Sequence, residues 1–248
     1  MRLSDEDFEL IQAYVEFVRE QAEDLGFSMS LSSDAAAFAD FLRGQDETHG
    51  ISSIHDPAVS FITPQNFAWF RVDQEGEGVA CHAIRAIETD DFIEEVRTHR
   101  VFGDIDVSWD FQDVGLYPEA HSLSFDGRIG IGGGLWIHPR CRGRNLSAVF
   151  SKLLRIIGIR RFRLDHYVSF VLNTGKRQQW SLQSNGQTRI PPLLKGYYPP
   201  YGRKLDVLLT HCTREEMLRQ IRQEMAETAG SVSGSRIRDA SPQAEERV

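Results

Sequence analysis

The sequence predicts an α+β fold with α/β-type layering: a central mixed, mostly antiparallel sheet with helices on both faces. Three observations predict it. Two stretches of helical periodicity open the chain, a glycine-turn hairpin follows, and a strand–loop–helix–strand unit precedes a late strand and a last helix.

The first helix is expected from about Asp5 to Leu25. Phe8, Ile11, Val15, Val18, Ala22 and Leu25 recur at helical spacing. Ser4 caps its start with Asp7 three residues on, and Gly26 suits a left-handed end. A second helix is expected over Asp34–Arg43, apolar through Ala35, Phe38, Ala39 and Leu42 and closed by Gly44. Phe67–Asp73 and Val79–Glu88 read as a hairpin around the glycine turn at 74–78. Asp90 is expected to cap a short helix to about Arg100, and 101–127 reads as a long loop with at most one strand. A strand over Ile129–His138 is followed by a helix over Asn145–Ile159, whose stripe is Leu146, Val149, Phe150, Leu153, Leu154 and Ile157. Tyr167–Leu172 reads as a buried strand. Residues 173–203 read as irregular, with a helical piece near Lys176–Leu182, and Lys204–His211 as a strand. Thr213-Arg214-Glu215-Glu216 is a second capping box, opening a helix that turns Met217, Leu218, Ile221 and Met225 inward.

These elements make one domain over residues 1–227. It divides into N-terminal helices (1–60), a sheet core (61–212) and a C-terminal helix (213–227). Residues 228–248 turn small and polar and are expected to be a disordered tail.

Hydrophobic residues make up 41% of the 248, and no run approaches the ~18 apolar residues of a membrane span. The acidic opening Met1-Arg2-Leu3-Ser4-Asp5-Glu6 is unlike a signal peptide. Cys81, Cys141 and Cys212 form neither a disulfide pattern nor a metal spacing. A reducing cytoplasm and no metal are the expectations. The net charge of −8 hides a division: residues 1–139 hold 8 basic and 27 acidic residues, and residues 140–204 hold 14 basic residues against Asp165 alone. Either one region meets an anion and the other a cation, or the two pair with each other in the fold.

The basic block begins at its most informative point. Ile129 to Ile137 is a glycine-rich strand, and Arg140, Arg142 and Arg144 follow in a short loop that opens into a helix. A helix N-terminus presents open N–H groups and a partial positive charge, which suits phosphate. Gly143 allows close backbone approach, and Asn145 tolerates left-handed geometry better than most residues.

Residues Ile137-His138-Pro139-Arg140-Cys141-Arg142-Gly143-Arg144-Asn145-Leu146-Ser147 resemble motif A of the GNAT superfamily of N-acyltransferases. The family pattern is Q/R-x-x-G-x-G/A after an apolar strand that ends in V-x-P. Arg142 takes its first position; Asn145 and Ser147 stand where glycine and glycine or alanine are usual. The resemblance implies an acyl-CoA co-substrate, acetyl-CoA above all. Its diphosphate would lie on the backbone of Arg142, Gly143, Arg144, Asn145, Leu146 and Ser147, and its pantetheine arm beside Leu135, Trp136 and Ile137, where the strand splays from its neighbour. Gly130, Gly132, Gly133 and Gly134 agree with close ligand approach.

Acyl transfer to an amine needs a neutral amine and a protonated leaving thiolate. The family often has a carboxylate on the motif strand; none lies in 129–138. His82, Glu88 and Asp126 are the candidates for base, each with a plain structural alternative. The family often uses a late tyrosine as acid, and Tyr197, Tyr198 and Tyr201 stand in the cluster at 196–202, with Tyr198 and Tyr201 the candidates; packing of a proline-rich loop is the alternative. The acceptor is expected to be an amine-bearing small molecule or protein, cationic in view of the acidic first half, with no membrane and no nucleic acid.

Three other readings are weighed. One is an inactive GNAT-like CoA-binding or regulatory module, another an enzyme fed by acyl carrier protein, as acyl-homoserine-lactone synthases are. The third is a nucleic-acid binder using Arg155, Arg160, Arg161 and Arg163.

Overall fold

Ser4 accepts a hydrogen bond from the Asp7 amide at 3.1 Å and starts α1 (Asp5–Asp24), whose first turn carries three acids. A computed structural model describes residues 3–48, 50–104, 114–174 and 187–230. The buried stripe of α1 is Ile11, Tyr14, Val18 and Ala22, so Tyr14 replaces the expected Phe8, which is exposed. Gly26, at φ +77, turns the chain into β1 (Phe27–Ser32). This strand was not expected: it is short and serine-rich, and only Phe27 is fully buried. Asp34 caps α2 (Ala35–Arg43), and its four expected apolar residues are all buried.

β2 (Phe67–Gln74) and β3 (Glu77–Thr89) form the expected hairpin. Its turn is Glu75–Gly76, both at positive φ, the hand that suits strand twist. Asp91, one residue later than expected, caps α3 (Phe92–Arg97). The long loop contributes β4 (Gly115–Leu116); residues 105–113 lie outside the described residues.

β5 (Gly127–Ile137) leads through the basic loop into α4 (Leu146–Phe162), which returns to β6 (His166–Leu172). β5 and β6 are parallel, as a helical crossover permits. α4 is buried on more sides than its apolar stripe suggested. Arg155 is 1% exposed, reaches Cys212 Sγ at 3.6 Å and lies over the Tyr167 ring. Arg161 donates to Pro64 O and Arg160 covers the Phe8 ring. Three of the four arginines considered for nucleic acid thus serve the fold.

β7 (Pro192–Tyr198) and β8 (Arg203–Thr213) complete the sheet. β7 corrects the irregular reading of 173–203. Its prolines look like breakers, yet Pro192 is the first residue of a strand near the sheet edge, where a missing donor is tolerated. The helix expected near Lys176–Leu182 lies outside the described residues. The second capping box is made: Thr213 N donates to Glu216 Oε2 at 2.8 Å and Glu216 N to Thr213 Oγ1 at 3.2 Å. It opens α5 (Arg214–Gly230), which runs past the expected end at 227; the rest of the expected tail lies outside the described residues.

The strand order is β1-β2-β3-β5-β6-β8-β7-β4, antiparallel except for β5–β6. α1, α4 and α5 cover one face, packing Ile11, Phe150 and Ile221 on Phe70 and Tyr167. α2 and α3 cover the other. This is the mixed, helix-covered sheet that the sequence predicted. Among the described residues no helix is long and apolar enough to cross a membrane.

Candidate active site

The site begins where two strands part. β5 pairs with β6 only from Ile129–His166 to Gly132–Ser169. β6 then continues along β8 as far as Leu172–Val207, while β5 stays on β3. On the β3 side the register shifts: Gly133 pairs with Ala83 and Trp136 with Cys81, so Gly134 and Leu135 together oppose His82. This bulge is a glycine feature, with Gly134 at φ +62. A Cβ on Gly132 would overlap the Tyr167 hydroxyl, and one on Gly133 the His55 ring. Both glycines therefore let side chains of opposite faces close on the parting strands.

A cavity of about 600 Å³ fills the gap and reaches both faces of the sheet. On the α4 side it is edged by Ser147, Ser151, Ser169, His82 and Arg142. On the α3 side it is walled by Phe102, Phe170, Leu194, Tyr198 and Val207.

The basic loop lies at the α4 mouth. A 3₁₀ turn over Pro139–Cys141 buries Cys141 and leads to Gly143 at φ +80 and Asn145 at φ +57. Two left-handed residues around Arg144 bend the backbone sharply before α4. A Cβ on Gly143 would meet nothing within 4 Å, so conformation rather than crowding favours glycine there. Among the described residues no hydrogen bond takes the amides of residues 143–147, and Asn145 makes no side-chain cap. These are the open donors expected of a helix start.

The loop arginines are spent differently from the sequence reading. Arg142 donates through Nε to Ile137 O at 3.0 Å and pairs with Glu47 at 2.7 Å; Arg140 pairs with Glu77. The acidic and basic regions thus pair here. Among the described residues Arg144 makes no ion pair. Leu135, Trp136, Ile137, Arg142 and Ser147 line the cavity, whereas the Leu146 side chain is buried in the core. Trp136 packs against α2 with Nε1 on Asp46 O, so its backbone is the part available to a ligand.

The expected catalytic residues separate. His82 lines the cavity, buried, bonded to the Phe150 backbone, and with Nδ1 unpartnered among the described residues. Burial lowers its pKa to about 3. Tyr198 and Tyr201 line the opposite wall with rings 5.2 Å apart. The Tyr198 hydroxyl lies 2.6 Å from Ser53 Oγ. Burial raises both phenols, so both stay protonated. Asp126 is exposed, precedes β5, and does not line the cavity. The gap starts six residues on, roughly 20 Å along the strand.

Sequence reasoning missed His55. It is 1% exposed and lines the cavity beside Gly133. Nε2 donates to Ile131 O at 2.9 Å, which leaves Nδ1 a bare acceptor with no partner among the described residues. Burial lowers its pKa to about 4. His55 stands in a 3₁₀ turn of an aperiodic connection, so no sequence signal singled it out.

No family model and no curated protein sequence matches the chain. Several solved structures are similar in shape. An Arabidopsis thaliana NAA60 in complex with a bisubstrate analogue is 11% identical, covering 75% of this chain and 98% of its own, at a TM-score of 0.45. The aminoglycoside acetyltransferase AAC(6')-Ib in complex with coenzyme A is 10% identical, covering 78% and 98%, at 0.42. An acetyltransferase of the GNAT family from Streptococcus pneumoniae is 16% identical, covering 75% and 99%, at 0.43.

Proposed function

We propose that this chain is a GNAT-type N-acyltransferase that moves an acetyl or short acyl group from CoA to a primary amine by direct attack. One observation carries the reading: β5 and β6 part at Gly132 and Ser169, and the gap is lined by Arg142 and Ser147, the two ends of the loop whose amides at 143–147 are open. Those amides and the α4 N-terminus suit a diphosphate. The parted strand offers backbone groups at Leu135, Trp136 and Ile137 to an extended arm. The Asn145 side chain is free to donate to a phosphate oxygen, and Arg144 adds charge in solvent.

In the reaction the amine nitrogen attacks the thioester carbon. The C–S bond breaks, the amide forms, and the thiolate takes up a proton as the nitrogen loses one. His55 and His82, both neutral, offer acceptor nitrogens near the gap. With conjugate acids this weak they orient an amine better than they deprotonate it, so positioning supplies most of the acceleration. Tyr201 is the better placed acid. Its hydroxyl takes no hydrogen bond among the described residues, whereas Tyr198 is engaged by Ser53.

Native mass spectrometry of freshly purified protein tests the reading. A bound CoA species, with thiol release from acetyl-CoA on adding an amine, is expected. Protein that neither carries nor binds CoA thioesters sinks it.

A further inference from the structure

The part of the cavity remote from α4 has a chemical character of its own. Phe170, Phe102, Tyr198 and Tyr201 form an unbroken chain of rings, with successive centroids 5.6, 5.5 and 5.2 Å apart. Leu194 and Leu205 close the wall between them. Among the described lining residues Glu47 is the single carboxylate, and it is held by Arg142 on the other side of the gap. The remaining charge toward this mouth is Arg203, whose guanidinium lies over the Tyr201 ring. Among the described residues a polycation would find no carboxylate on this wall and one like charge. A primary amine on a carbon body would bury that body against rings and aliphatic side chains, at about 25 cal/mol per Å². The acids of the first half, which suggested a cationic acceptor, do not form this wall among the described residues.

We infer that the acceptor is a primary amine borne on an aromatic or branched aliphatic body, seated on the Phe102–Phe170–Tyr198–Tyr201 wall. This inference rests on the acyltransferase reading and narrows it. An acyl tail on the thioester is the competing occupant of the same wall. It would arrive through the gap and need no second opening. Among the described residues the rim of this wall is solvent-accessible, with Phe170, Tyr201 and Leu205 half-buried and Arg203 exposed. An acceptor must enter and a product leave by such a mouth.

The test is a panel with the full chain and acetyl-CoA: 2-phenylethylamine, tryptamine and isopentylamine against spermidine and kanamycin. The apolar amines are expected to exceed the polycations in kcat/KM by at least about tenfold. Leu205→Asp is expected to cut kcat/KM for 2-phenylethylamine by about tenfold, with acetyl-CoA affinity by calorimetry unchanged. Should that variant not fold, titration of 2-phenylethylamine into the wild-type protein saturated with CoA gives the second readout, and saturable binding is expected. Preference for spermidine or kanamycin overturns the inference. So does a preference for octanoyl-CoA over acetyl-CoA that Leu205→Asp abolishes, or acetyl-CoA binding with no amine either bound or acetylated. Loss of acetyl-CoA binding by the wild-type chain removes the acyltransferase reading itself, and this inference with it.

Discussion

On the α4 side the cavity is edged by the hydroxyls of Ser147, Ser151 and Ser169 and opens toward unpaired amides; on the α3 side it is walled by the rings of Phe102, Tyr198 and Tyr201. The two sides meet only where β5 and β6 part. One side suits a polar, phosphate-bearing chain, the other a carbon skeleton. The contrast teaches that the charge division of the sequence is no map of the site. Arg140 and Arg142 stand in the basic block, yet Glu77 and Glu47 of the acidic half take them. What remains for an anion at the loop is backbone, with Arg144 beside it.

Among changes that leave the loop backbone intact, the largest expected loss of binding comes from filling the α4 side alone. Ser147 is half-buried at the cavity edge, and Ser147→Trp is expected to weaken acetyl-CoA binding about 100-fold, or about 2.7 kcal/mol. Calorimetry on a variant with wild-type circular dichroism checks this. Unchanged affinity would mean that the arm does not pass there.

The next effect concerns the histidines that border both sides. His55 and His82 titrate at about 4 and about 3 in the folded chain, against 6.5 ordinarily, because burial disfavours the imidazolium. His211, at about 4, acts in the same direction. Below pH 6.5 the unfolded chain takes up protons that the folded chain refuses. Stability is therefore fully present above that pH and falls as the pH drops toward 4. Each unit of displacement is about 1.4 kcal/mol, so a loss of several kcal/mol is expected. Denaturant midpoints at pH 7.5 and 5 measure it, and the loss is expected to shrink in His82→Gln. A flat profile contradicts neutral burial.

A smaller effect separates the two tyrosines. Tyr201→Phe is expected to lower kcat about tenfold with KM for acetyl-CoA unchanged. Tyr198→Phe strips buried Ser53 of its partner and is expected to cost about 1–2 kcal/mol of stability. Equal kinetic losses in both variants would return the acid role to an open choice between them.

How much of this was legible in the sequence depended on how local the signal was. The Ser4 cap, the capping box of Thr213 and Glu216, the Glu75–Gly76 turn and the loop at 139–147 are written in neighbouring residues, and the structure makes each of them. β1 and β7 were hidden because partners 37 residues away, Trp69 for Ser32, or beyond proline, Leu208 for Pro192, define them. The same limit hid His55, whose carbonyl partner, Ile131, is 76 positions on. Asp126 looked near the gap because it adjoins the glycine-rich strand at Gly127; it precedes the end of β5 that still pairs with β6. The gap itself is a place where pairing stops, which the glycines hinted at and only the register displays.

Calorimetry of acetyl-CoA on Gly143→Pro tests the central claim most directly. Proline fixes φ near −65° and has no N–H, whereas Gly143 stands at +80° with an open amide. With circular dichroism and denaturant midpoint near wild type, binding is expected to fall beyond detection. Wild-type affinity in that folded variant would show that the loop backbone does not hold the diphosphate.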